Sequence, residues 1–274
     1  MNKLIFVFLL HLACSAATAQ EIGIQLHSLR DQFKKDVQGT MKMVKSWGIK
    51  EVELAGTYGL SKTDFKKLLA ENNITVISTG ADFDKLESNP QAVAEEAKSL
   101  GAKYVVCFWI PHQGNDFTIE DAERAVKVFN TAGKVLKENG LSFCYHAHGF
   151  EFRPYQNKTL FDYLMDNMDA NYANFEMDVF WMKHPGQDPV ALLEKYPNRF
   201  QLIHLKDRRH GTQGNQNGQA DVETNVVLGM GDVGIAAIMK KAKEAGVKHF
   251  FIEDESSRSQ QQVPLSLKFL KGLK

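Results

Sequence analysis

A chain of 274 residues that is 43% hydrophobic and 24% charged has enough apolar side chains to bury a core, which excludes an intrinsically disordered polymer. Its 33 basic and 33 acidic side chains cancel, so no long-range field draws it to nucleic acid or to an anionic membrane. The length accommodates either two domains of about 100–200 residues each or one α/β barrel of about 250.

The first twenty residues, MNKLIFVFLLHLACSAATAQ, read as an export signal. Lys3 supplies the positive start, and Leu4 to Ala13 form an apolar run shorter than the roughly 20 residues that span a bilayer. Ala17-Thr18-Ala19 then offers small side chains for cleavage before Gln20, so residues 1–19 are expected to be a signal peptide. Lipid attachment through Cys14 is the weaker reading, because His11 stands where an apolar residue is needed. Removing those 19 residues leaves 255 of the 274, with no further apolar run of membrane-spanning length. The expected location is periplasmic or secreted, with no membrane attachment after cleavage. Cys107 and Cys144 then read as small apolar residues of buried strands rather than as a required disulfide.

From Gln20 onward one grammar repeats. Short runs rich in β-branched and aromatic residues fall at Ile22–His27, Glu51–Ala55, Ile74–Ser78, Tyr104–Trp109, Ser142–His146, Asn174–Val179, Gln201–Lys206 and His249–Glu253. Helical spacing fills the intervals. It is clearest over 120–138, where Ala122, Ala125, Val126, Phe129, Ala132 and Leu136 share a face, and it recurs over 235–245 and 264–273. Gly48, Gly101, Gly140 and Gly246 each end a helical stretch. Eight strands alternating with eight helices predict a single-domain TIM barrel over residues 20–274. An open doubly wound sheet is the competing fold, but the first strand runs into Leu26-His27-Ser28-Leu29-Arg30 rather than into a glycine-rich phosphate loop. Asp207–Asp232 has almost no periodicity and reads as a long structureless loop over the C-terminal mouth, with Gly229-Met230-Gly231 as a plain turn.

A barrel gathers its chemistry at the C-terminal ends of its strands, and the polar residues lie there. His146, Asp178, His204 and Glu253 each end a different strand, so their side chains can converge on the axis. Two imidazoles and two carboxylates are a mixed N/O set, suited to one divalent ion such as Mn²⁺, Zn²⁺, Co²⁺ or Fe²⁺ more than to Mg²⁺. Strand alternation puts His148 on the side of His146 and Lys206 on the side of His204, as candidates for proton transfer or oxyanion stabilisation. Trp109 and Trp181 close the fourth and sixth strands, where they either stack on a sugar ring or pack in the core.

The segments GIQLHSLRD (23–31), VELAG (52–56), YHAHGFEF (145–152), MDVFW (177–181), HLKD (204–207), GMGDV (229–233) and FIEDE (251–255) stand in order along nearly the whole chain. Together they resemble the xylose isomerase-like TIM barrels, also labelled sugar phosphate isomerase/epimerase and related to endonuclease IV. The resemblance implies one divalent metal at the mouth, with Asp178, His204 and Glu253 at ligand positions. It also implies Glu53, Lys206 and Glu151 near substrate. Many such epimerases carry a glutamate at the strand-five position, opposed to the strand-eight glutamate as a second base. Here that residue is His146, in a His-x-His arrangement similar to the ketoinositol dehydratase branch.

The expected function is therefore a metal-dependent isomerase or epimerase of a small keto or aldo sugar, working through an enediolate. Glu253 or a nearby histidine takes the α-proton, and Lys206 or the metal stabilises the oxyanion. The alternative is a metal-dependent lyase or dehydratase that eliminates from a keto sugar, a 3-keto-glycoside or a keto-inositol. Export favours an unphosphorylated substrate. The expected partner is a small carbohydrate and not nucleic acid, since a phosphodiesterase needs a multi-metal cluster and a basic groove. A non-catalytic sugar-binding barrel and a homo-oligomer are both compatible with the sequence.

Overall fold

The computed structural model describes residues 21–273, so the signal peptide expected over residues 1–19 lies outside the described part. Eight parallel strands close into a barrel: β1 (Ile22–Gln25), β2 (Glu51–Leu54), β3 (Thr75–Gly80), β4 (Tyr104–Cys107), β5 (Ser142–His146), β6 (Ala173–Asp178), β7 (Phe200–Leu205) and β8 (His249–Ile252). Each pairs with its neighbours in sequence, and β8 closes on β1 through Ile22–Phe250 and Ile24–Ile252. This is the TIM barrel that the strand count predicts, in one domain. Among the described residues no helix is long and apolar enough to cross a membrane.

Two layers of apolar side chains hold the wall. Alternate residues point inward, where Ile77, Val106, Cys144, Leu202 and Phe251 pack as a small inner cluster that plugs the barrel. Their neighbours along each strand face the helices and form the larger outer core. Gly23 makes the plug fit, because a Cβ there would stand 2.6 Å from the Phe251 ring and 2.7 Å from the Glu51 carbonyl oxygen. Cys107 lies opposite Tyr145, one step out of phase with Cys144, so the two cysteines face opposite sides of the wall and both are free thiols.

The helix predicted over 120–138 runs Ile119–Glu138. It starts at a capping box in which Thr118 and Asp121 satisfy each other's backbone N–H groups. Three helical connections are broken in two, at Asp36, Asn89 and Asp188. The carboxylate or amide at each break accepts from the first turn of the next helix, and prolines follow at Pro90 and Pro189. The last helix, Ser259–Gly272, starts five residues before the expected 264 and carries Pro264 inside it. Its first turn is anchored by Gln262, which donates to Asp254 Oδ2 and Ser256 Oγ at 2.9 and 2.8 Å.

The long segment after β7 departs from expectation. Asp207–Arg208 pairs with Asn225–Val226 as a short antiparallel ribbon, and a 3-10 turn at Val222–Thr224 precedes the second strand. Asp207 organises it. Its buried carboxylate accepts from the backbone N–H of Arg208, Gly229, Gly231 and Val233 at 2.8–3.2 Å. Gly231 is required here, because a Cβ would stand 2.3 Å from Asp207 Oδ1. Arg208 clamps Asp232 with two bonds of 2.9 Å. The Gly229-Met230-Gly231 turn is thus one wall of an anion-binding nest rather than a plain turn.

Candidate metal centre and substrate cleft

At the C-terminal mouth His146, Asp178 and His204 bring ligand atoms together, with Glu253 beside them. His146 Nε2 is 3.8 Å from Asp178 Oδ2, and His204 Nδ1 is 3.3 Å from Glu253 Oε2. One ligand atom each from His146, Asp178 and His204 lie within 4.8 Å of one another, all buried. Bonds of about 2.0–2.2 Å to a shared cation leave neighbouring donors roughly 3–4 Å apart, so the spacing fits an ion. Asp178 Oδ2 and His204 Nδ1 are buried without a hydrogen-bond partner, which is costly unless something else satisfies them. The other Asp178 oxygen is held by the N–H groups of Phe180 and Trp181 at 2.8 and 3.2 Å, fixing which oxygen points inward.

The imidazoles are aimed from behind. His146 Nδ1 meets Glu176 Oε2 at 2.9 Å, and His204 Nε2 meets Glu53 Oε1 at 2.6 Å and Glu176 Oε1 at 3.3 Å. A carboxylate on the far nitrogen sets the ring's orientation and leaves the near nitrogen's lone pair for a metal. Glu53 is anchored in turn by Gln25 Nε2 (2.6 Å) and Ser78 Oγ (2.5 Å). The strand registers slip at Val52/Glu53 and Phe175/Glu176, on the two bracing residues, as bulges beside active sites do.

Burial dominates the electrostatics. It pushes Asp178 up to about 7 against the pull of Lys206, and it raises Glu176 well above the usual carboxylate range, reinforced by the charge of Glu53. Burial, with His148 and His204 nearby, holds His146 neutral. Burial opposes a charge on His204, yet Glu176, Glu53 and Glu253 overcome it and lift its pKa well above the ordinary value. The carboxylates thus favour positive charge on His204, and a divalent ion bound there would supply the same countercharge in place of that proton. The residues present therefore fit the metal that the sequence implies.

Around this centre stand the remaining candidates. Lys206 donates to Glu253 Oε2 at 3.1 Å and to Glu255, lies 3.8 Å from Asp178 Oδ2, and rests against the faces of Phe180 and Trp181. Burial works against its charge, but Glu253, Glu255 and Asp178 keep it protonated. Glu253 is held well below the usual range because Lys206 and His204 outweigh its burial. His148 packs 4.7 Å from His146 with its Nδ1 buried and unpartnered, and burial lowers its pKa to about 4. Trp109 is 39% exposed at the mouth, and its ring meets His148 edge-on at 5.4 Å. Trp181 is buried between His148 and His184 and serves as packing for Lys206.

Two carboxylates expected near substrate lie elsewhere. Glu151 is fully buried and accepts from the Tyr145 hydroxyl and from the N–H groups of His148 and Gly149 at 3.0 and 2.7 Å. It shapes the turn that carries His148. Glu53 lies beneath the His204 ring, with its bonds already committed. Glu176, Glu255 and Asp207 also stand at strand ends, but the sequence alone assigns them no role. Glu176 is two residues before Asp178 and Glu255 two after Glu253, so strand alternation was the available signal.

A cleft of about 830 Å³ opens from this centre. His146, His148, Glu253 and Glu255 close one end, and the loops after β2 and β3 form the other.

Fold and site together define a barrel enzyme built around a metal-ready centre at its C-terminal mouth. A family model described as a xylose isomerase-like TIM barrel matches residues 41–273, and the chain belongs to that family. An inosose dehydratase from Geobacillus kaustophilus is 30% identical over 151 residues, half of this chain and 48% of that protein. The chain thus spans about half the length of that relative. A sugar phosphate isomerase/epimerase from Parabacteroides distasonis has a TM-score of 0.77 at 25% identity, over 94% of this chain and 96% of its own. An IOLI protein solved with a bound zinc atom shares the fold at a TM-score of 0.72 and 13% identity, over 93% of this chain and 98% of its own.

Proposed function

We propose that this protein is a divalent-metal carbon–oxygen lyase that enolises a keto carbohydrate and expels the group on the neighbouring carbon. The observation that carries the reading is the state of His146. Its Nδ1 is engaged by Glu176 and its Nε2 points at the ligand cluster, so neither nitrogen is free to act as a second base. His146, Asp178 and His204, with Glu253 beside them, would hold a divalent ion, which would supply Lewis-acid polarisation of the substrate carbonyl. Zinc in the IOLI barrel and the N/O donor set here both favour Zn²⁺, Mn²⁺, Co²⁺ or Fe²⁺ over Mg²⁺.

The chain's own groups then divide the proton work. His148 lines the cleft, is kept neutral by burial, and takes the proton on the carbon beside the carbonyl. Lys206, held protonated by its carboxylates, hydrogen-bonds the oxygen where negative charge develops. As the electron pair forms the carbon–carbon double bond, the carbon–oxygen bond on the next carbon breaks. The proton on His148 passes to the departing oxygen, so one base suffices. The inosose dehydratase relatives are of this reaction class by name.

An isomerase or epimerase is the second reading, favoured by the Parabacteroides neighbour and by the same enolising centre. Incubation of the metal-loaded protein with a 3-keto-glucoside, a keto-inositol and a free ketohexose separates the two. An ultraviolet-absorbing enone product supports the lyase, and a carbon-2 or carbon-3 epimer without enone overturns it. Chelator treatment followed by addition of each ion reports the metal. We also propose export, on the strength of the Lys3 start and the Ala17-Thr18-Ala19 site. N-terminal sequencing of periplasmic protein should begin at Gln20, and an intact Met1 in the cytoplasm overturns that assignment.

A further inference from the structure

The glycine-rich turn after β7 occupies the place where TIM barrels commonly hold a substrate phosphate, in the loops after the seventh and eighth strands. Here that nest is full. The N–H groups of Gly229, Gly231 and Val233 all donate to Asp207, so the anion they bind is part of the chain. The cleft wall offers a second anion little to bind. Asp82, Asp84, Glu96, Glu253 and Glu255 line it, and among its described lining residues Lys85 is the sole lysine or arginine. Lys85 is already paired with Asp82 at 3.3 Å.

The cleft is also roomy. A hexose, at about 30 Å³ for each water-sized CHOH unit, fills roughly 180 Å³. The cleft offers about 830 Å³. Trp109 stands in its wall with one face stacked on His112 at 5.1 Å and its edge fixed by Phe150 at 4.9 Å. That ring is 39% exposed and lines the cleft, so its uncovered part is available to stack on a ligand ring.

We infer that the site takes an unphosphorylated glycoside longer than one sugar ring, with its keto ring at the metal centre and its second unit stacked on Trp109. This rests on the enolising centre proposed above and adds the substrate's charge and length.

The test reads binding rather than turnover, with probes that cannot enolise: methyl cellobioside, methyl glucoside and methyl glucoside 6-phosphate, titrated into the Mn²⁺-loaded protein. The cellobioside is expected to bind about tenfold tighter than the glucoside, the value of one good stacking contact. The 6-phosphate should bind no tighter than the glucoside. Trp109→Ala should collapse the preference for the disaccharide, and Trp109→Phe should retain most of it. Tighter binding of the phosphate, no measurable disaccharide binding, or a preference indifferent to Trp109→Ala overturns the inference. Elimination from a 3-keto sugar is scored separately. Its failure with the binding order intact removes the lyase reading alone, and a reversed binding order with elimination intact removes this one alone.

Discussion

Replacing Asp207 by Asn tests how the mouth is held together. The carboxylate accepts four backbone N–H groups, Arg208 and Val233 on Oδ1 and Gly229 and Gly231 on Oδ2. An amide keeps one oxygen, so two bonds are lost and an NH₂ group faces two donors, buried on the Oδ1 side and half-buried on the Oδ2 side. Each unsatisfied buried donor costs about 1–3 kcal/mol, and the two surviving bonds lose their charge assistance. A loss of about 4 kcal/mol follows, a large share of the roughly 5–15 kcal/mol that holds a domain folded. For a barrel of this size that is a fall in Tm of about 8–16 °C. Thermal unfolding by circular dichroism measures it, and hydrogen exchange locates it. The amides of Gly229, Gly231 and Val233 should exchange faster while those of the β4 and β5 strands hold. A Tm within about 2 °C of the parent, with those amides still protected, would refute the assignment of Asp207 as the organiser of this segment.

Four further outcomes are expected. Glu253→Gln should abolish turnover with the circular dichroism spectrum unchanged, and retained activity removes Glu253 from the site. His204→Ala should empty the metal centre by elemental analysis; parent metal content would exclude it as a ligand. Glu176→Gln should weaken metal binding by about 10–100-fold through loss of the brace on both imidazoles, measured by competition with a chelator. Asp162 is pulled down to about 2, since Lys195, Tyr196 and Thr159 together outweigh its burial. A folded-state pKa below the unfolded 3.8 gives stability present above that value and lost as pH falls through about 2. After allowance for solvent screening this amounts to about 1–2 kcal/mol. The gap in urea midpoint between the parent and Asp162→Asn should therefore narrow below about pH 4, and a gap constant with pH counts against the ion pair.

The barrel was legible because strands buried on both faces read as unbroken apolar runs, as Tyr104-Val105-Val106-Cys107 does. The convergence of His146, Asp178, His204 and Glu253 followed from their positions at strand ends, which every barrel brings to one mouth. Depth was not legible. Glu53 and Glu253 both sit at strand ends, yet one lies under an imidazole and the other beside the cleft. Which of the two a strand-end glutamate becomes depends on register and barrel shear, set by pairing with distant strands. Glu151 illustrates the same limit. Its letter promises acid–base chemistry, and only the fold shows that backbone N–H groups consume it. The role of Asp207 was not legible because three of its four partners lie more than twenty residues away in a segment without periodicity.

The placement of Cys107 and Cys144 on opposite faces of one wall bears on where this chain can fold. Each thiol is sealed in an apolar layer, and burial pushes Cys107 up to about 12 and Cys144 well above its ordinary value. Neither is a thiolate available for exchange, and neither can reach the other. The barrel consequently needs no oxidant to mature and offers none a foothold. It can be assembled in a reducing cell for study and keep the same covalent structure in an oxidising buffer.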